Sequence, residues 1–112
     1  RYFKCYAEDI SECIEFFDLF NKNIIFFSNS SLQYVNPFFL KEFFTNLKNY
    51  KKFNLFLNEP VNLSFIRDSK LISKYRGNIS FSHKYEEYAN NSNLRIIKKK
   101  RLNHIQKVML II

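Results

Sequence analysis

The chain opens on an alternation, Tyr2-Phe3-Lys4-Cys5-Tyr6, that predicts a short strand. Asp9 with Glu12 three residues on is a capping-box pattern, and Ile10, Cys13, Ile14, Phe17 and Phe20 follow at 3.6-residue spacing. Together they predict a helix over 9–21 with one apolar stripe. Two short apolar runs, 24–27 and 32–35, flank Ser28-Asn29-Ser30-Ser31 and predict a hairpin. Asn36-Pro37 then supplies an N-cap and a first-turn proline. Phe39, Leu40, Phe43, Phe44, Leu47 and Tyr50 continue as the buried side of a helix over 37–52. Phe53-Asn54-Leu55-Phe56-Leu57 alternates again and predicts a strand ended by Glu59-Pro60.

The expected order is βαββαβ, an α+β chain whose two helices cover one face of a four-stranded sheet as a small two-layer sandwich. Residues 1–58 form this core domain, with Phe17, Phe20, Phe43, Phe44 and Leu47 buried against the sheet. Residues 59–112 form a basic C-terminal extension, partly helical. In it Val61, Leu63 and Phe65 alternate, so the last strand continues or a new one starts. Residues 68–76 suit a short helix stopped by Gly77, the only glycine. Residues 82–93 are polar and read as loop. Leu94, Ile97, Leu102, Ile105, Met109 and Ile112 approximate a helical stripe, with a basic remainder that makes a terminal amphipathic helix.

A 46% apolar and 19% aromatic composition excludes wholesale disorder, and 112 residues suffice for one domain with a real core. No run is long and apolar enough to span a membrane, and no signal peptide is visible. Phe, Asn, Lys, Ile and Tyr fill more than half of the positions, and these residues have AT-rich codons, a mark of an AT-rich organellar or parasite genome. Charge changes the picture more. The chain carries 18 basic and 10 acidic residues, net +8, and residues 1–23 are net acidic, so the excess lies in the remainder. From Tyr88 onward there is no acid. Such an excess favours a nucleic acid or an anionic membrane as partner.

The residues that carry chemistry are few. Cys5 and Cys13 lack a CxxC neighbour or a nearby histidine, so zinc is not expected, and they read as reduced core thiols. His83 and His104 have no acidic companion after Glu87. One glycine cannot build a phosphate-binding loop. Glu86-Glu87 is a pair only in sequence. No catalytic residue, metal, cofactor or small-molecule substrate is therefore expected, and the protein is read as a non-enzyme.

The basic residues are the functional signal. Arg95, Lys98, Lys99, Lys100, Arg101 and Lys107 occur without one acid among them, whereas a merely solvated helix usually interleaves signs. A membrane-surface helix is the rival use of such a segment. Lys48, Lys51 and Lys52 end the second helix, where they complement its dipole and can also meet phosphate. Arg67 completes the candidate RNA-binding set. Among the tyrosines, Tyr34, Tyr50, Tyr75, Tyr85 and Tyr88 are candidates to stack on bases.

Residues 35–53, V-N-P-F-F-L-K-E-F-F-T-N-L-K-N-Y-K-K-F, resemble the C-terminal part of small-subunit ribosomal protein ten (the NusE family). That family carries V-[ND]-K-x-S-R-x-Q-F-E-x-R-x-H-x-R-L before its last strand. Val35-Asn36 matches the opening, Lys41-Glu42 the middle, and Leu47-Lys48-Asn49-Tyr50-Lys51-Lys52-Phe53 the basic finish, with Tyr50 in place of the family's histidine. Upstream, Phe3-Lys4-Cys5-Tyr6 and the helix at Asp9 are similar to the family's first strand and helix. The similarity spans about residues 1–58 and needs a two-residue insertion in the second helix. It implies a structural role in the small-subunit head of an organellar ribosome, touching ribosomal RNA and neighbouring ribosomal proteins. It carries over only Lys48, Lys51 and Lys52 as RNA contacts. The expected function is a structural constituent of a mitochondrial ribosome, or of a plastid one. The alternative is a non-catalytic accessory subunit of an organellar membrane complex, docked through its basic C-terminal helix.

Overall fold

A computed structural model of the chain describes residues 2–102 and 107–111, with side chains through Lys100. The frame is a crossover unit. Strand β1 (Asn23–Asn29) leads into helix α2 (Pro37–Asn46), which follows the shorter α1 (Ile10–Phe16) in the chain. Strand β2 (Lys52–Pro60) then returns parallel to β1, pairing Asn23 with Lys52 through Asn29 with Asn58. Parallel neighbours need such a crossover, and a helix provides it. The start of α2 is as expected: the Asn36 side chain accepts a hydrogen bond from the Phe38 amide at 2.9 Å, with Pro37 in the first turn.

The remaining elements are α3 (Leu63–Asp68), β3 (Ser73–Gly77), β4 (Ser80–His83), α4 (Tyr85–Asn91), β5 (Lys98–Leu102) and β6 (Lys107–Ile111). β6 pairs antiparallel with β2 and β5 with β6, so the large sheet runs β1-β2-β6-β5. β3 and β4 form a separate hairpin. The α+β class holds. The helices line one face of the large sheet in a two-layer arrangement: Phe26 of β1 packs on Phe43 and Tyr50, and Phe44 of α2 stacks on Tyr88 of α4. Leu40, Phe44, Leu47, Leu55 and Ala89 are fully enclosed.

Several expectations differ from the structure, each for a local reason. Residues 2–6 form no strand. Helix α1 ends at Phe16, because Asp18 takes a left-handed backbone (φ 53°). That early stop leaves Phe17 half-buried and Phe20 40% exposed rather than both in the core. Residues 32–34 form a 3-10 turn and not the second arm of a hairpin, since β1 takes β2 as its partner. Asn62 caps α3 through the Phe65 amide at 2.9 Å, so the apparent alternation at 61–65 is a helix start. Residues 73–77 are a strand, and Gly77 (φ 101°) serves the β3–β4 hairpin instead of ending a helix. Residues 82–93 contain α4, whose Tyr85, Tyr88 and Ala89 are buried.

The terminal tract differs most. It forms strands where an amphipathic helix was expected, with residues 103–106 and 112 outside the described residues. The tract finds backbone partners instead, β6 pairing with β2 and β5 with β6, and a strand sends successive side chains to opposite faces. The boundary drawn at residue 58 falls inside β2, and the extension completes the sheet that the first half begins.

Two measurements check this account. Phe44→Ala should destabilise by about 3–5 kcal/mol in urea unfolding, because the ring is fully enclosed. In the β3–β4 turn, Asn78 and Ile79 both have positive φ (52° and 56°), a pattern of type I′ that a β-branched residue adopts only under strain. Ile79→Gly should therefore raise stability by about 1 kcal/mol. An unchanged or lower midpoint would argue against this turn.

Candidate nucleic-acid interface

Strand alternation divides the large sheet into a covered and an open face. Ile24, Phe26 and Ser28 of β1 and Phe53, Leu55, Leu57 and Glu59 of β2 point under the helices. The intervening residues face the other way. Ile25 is 71% and Phe27 73% exposed, and Phe56, the partner of Phe27 on β2, is half-buried. On β5, the Lys99 Nζ donates to Glu86 of α4 at 3.1 Å, which places Lys99 on the helical side. Lys98 and Lys100 therefore take the open side, and both are exposed.

The register aligns these residues. Phe27, Phe56, Ile111 and Lys98 form one row across the four strands, and Asn29, Asn58, Met109 and Lys100 the next. Asn58 Nδ2 donates to Asn29 Oδ1 at 3.0 Å, joining the β1 and β2 members of the second row. Lys52 begins β2 on the same side. With Lys51 it lines a shallow groove of about 530 Å³ bordered by Asn23, Ile24, Ile25, Phe53 and Asn54. Among the described residues the open face of β1, β2 and β5 carries no acidic side chain.

The expected RNA-binding residues thus separate. Lys52, Lys98 and Lys100 share the open face, and Lys51 borders it. Lys48 is exposed in the 3-10 turn after α2, and Arg95 is exposed in the segment before β5. Arg67 is exposed but bonded to Asp68 at 2.8 Å. Lys99 is likewise paired, so the tract is not free of acid once folded. Arg101 and Lys107 hold register positions opposite Val108 and Pro60, and their side chains lie outside the described residues. Of the tyrosines, Tyr34 and Tyr75 are exposed, whereas Tyr50, Tyr85 and Tyr88 are core. Phe27 and Phe56 were not singled out by sequence. The parity of the run 23–29 could have flagged Phe27 once Phe26 was assigned inward.

Two titratable groups, His83 and Glu59, are turned inward. His83 is 1% exposed. Its Nε2–H donates to the Val35 carbonyl at 3.0 Å, which leaves Nδ1 to accept from the Ser73 hydroxyl at 2.6 Å. Tyr88 OH in turn bonds the Ser73 oxygen. Burial pushes the imidazole down to about 4, so the ring is neutral and fully engaged. Glu59, fully buried, accepts from Ser28 Oγ and the Ser31 amide and anchors the turn before α2. Burial raises its carboxyl above the usual range despite those bonds. Cys5 is exposed and Cys13 half-buried; burial, then the neighbouring Cys13 thiol, raises the Cys5 thiol, the opposite of an activated thiolate. Among the described residues no cluster of three or more His, Cys, Asp or Glu offers a metal site, and no helix is long and apolar enough to cross a membrane. No protein-family model, curated protein or solved structure matches the chain.

The buried histidine has a measurable consequence. The unfolded chain takes up its proton below about pH 6.5 and the folded chain only near 4, so His83 stabilises above that window and the contribution is lost as pH falls through it. Glu59 acts in reverse, since the folded chain keeps a proton that the unfolded chain releases above pH 4.5. In a Glu59→Gln background, the stability difference between His83 and His83→Gln should shrink by on the order of 3 kcal/mol between pH 7 and 4. A pH-independent difference would show that the imidazole is not held neutral.

Proposed function

We propose that the protein is a non-enzymatic RNA-binding subunit of a ribonucleoprotein particle, with the open face of its large sheet as the contact surface. The observation that carries this reading is the make-up of that face: Lys52, Lys98 and Lys100 beside exposed apolar and aromatic side chains, with no acid among its described residues. Lysines neutralise phosphates and release counterions without reading bases, which suits a scaffold role. The setting we assign is an organellar ribosome of mitochondrial type, with ribosomal RNA and neighbouring ribosomal proteins as partners; the preference for residues with AT-rich codons is compatible with it and points equally to a parasite genome. The lysines of β5 also serve the fold, because charge on an edge strand blocks pairing with another sheet. That use explains charge at an edge but not why Phe27 and Ile25 stand exposed on the same face. The membrane-complex alternative relied on a terminal amphipathic helix, and the tract forms strands.

The test is a salt series of RNA association, by filter binding and by co-sedimentation with ribosomal particles. Three phosphate contacts through Lys52, Lys98 and Lys100 give a slope of log affinity on log salt of about −2 to −3. Reversal of Lys98 and Lys100 to glutamate should weaken binding and flatten the slope by about 1.4–1.8. Lys99→Glu, on the helical side, should change the slope by less than half as much. Equal effects of all three reversals would mean that the face is not the contact surface. Retention on anionic liposomes that RNA does not compete away would replace RNA with lipid as the partner.

A further inference from the structure

Resting on that reading, we infer that the open face is a stacking platform for an unpaired single strand of RNA, with Phe27 and Phe56 as base-stacking rings and Lys98, Lys100 and Lys52 as phosphate contacts. The argument starts from what the two phenylalanines cost. A 73% exposed Phe27 beside a 71% exposed Ile25 leaves apolar surface in water on the sheet face, where it favours association. Phe27 and Phe56 occupy one register row on adjacent strands, and Lys98 lies in the same row two strands beyond Phe56, about 10 Å away at ordinary strand spacing.

A pair of aromatic rings with a cation two strands further along the same row fits a chain whose bases and phosphates alternate. An unpaired strand can splay its bases onto aromatic rings while its backbone meets the lysines. A duplex keeps its bases stacked internally and offers such rings nothing to stack on. A second copy of this chain is disfavoured by charge, since each copy is net +8 and the face would set lysine against lysine. The polar residues between the anchors, Asn29, Asn54 and Asn58, are uncharged and oppose no phosphate. Lys51 and Lys52 on the groove at the start of β2 extend the positive track beyond the ring pair.

The experiment uses the full chain and fluorescence anisotropy with labelled oligouridine of about ten nucleotides, within the usual footprint of one such surface. An abasic strand and an RNA duplex of the same length are the other probes. Phe27→Ala should weaken oligouridine binding by about 5- to 150-fold, the range expected for loss of one stacked base, and leave abasic-strand binding within about 2-fold. Phe27→Leu should lose nearly as much, because it keeps apolar area but no ring. Phe27 is so exposed that both variants should fold, and their thermal midpoints check this. Phe56→Leu should repeat the selective loss. Equal losses on the oligouridine and abasic strands, no loss on either, or tighter binding of duplex would each overturn the platform while leaving RNA binding standing. If the wild-type chain binds none of the three probes at low salt, the proposed function itself fails. A Phe27→Ala change seen only in sedimentation would instead assign the face to a second copy.

Discussion

The structure depends on the parallel pairing of β1 with β2. Adjacent parallel strands cannot be joined by a tight turn, so residues 30–51 must cross over one face of the sheet, and α2 is laid there. Once it is, Phe26 finds Phe43 and Tyr50, and the strand parity is set: even-numbered β1 residues go to the core. A one-residue slip would bury Ile25 and Phe27 and expose Phe26. The crossover has its own anchor. Glu59 at the end of β2 holds Ser28 and the Ser31 amide, so the turn leaving β1 is fastened to the strand that α2 will reach. His83 does the same from the other side by donating to Val35.

The second half of the chain completes what the first leaves open. β6 covers the free edge of β2 and β5 follows, so the most basic segment becomes an edge strand. Alternation then sorts its charges: Lys99 joins Glu86 on the helical side, while Lys98 and Lys100 stay on the other. A block of like charge that looks uniform in one dimension becomes two populations with different partners.

The parts legible in sequence were those set by local chemistry. Asn36-Pro37 marks its helix because an N-cap and a first-turn proline act within a few residues, and β1 and β2 show as apolar runs. What was not legible depended on distant partners. Residues 24–35 form no hairpin because β1 pairs with a strand 29 positions further on. The β3–β4 turn, Asn78-Ile79, lacks the usual glycine at its second position and gave no signal. α4 looked like loop because only Tyr85, Tyr88 and Ala89 need burial. The lysines of the candidate site were recognisable by type. Their division between faces, and the role of Phe27 and Phe56, followed only from register.

The acids show how the charge is distributed. Beyond residue 23, Glu42 lies on α2, Asp68 on α3, Glu86 and Glu87 on α4, and Glu59 on the covered side of β2. All of them therefore belong to helices or to the face that helices cover, and two of them neutralise Arg67 and Lys99. Those earlier in the chain lie in or beside α1 and the 3-10 turn before it. Acid thus stands on or beside the helices and on the covered side of β2, and among the described residues none stands on the open face of β1, β2 and β5. Such segregation gives one face an uncompensated positive field while the rest of the surface stays mixed in sign.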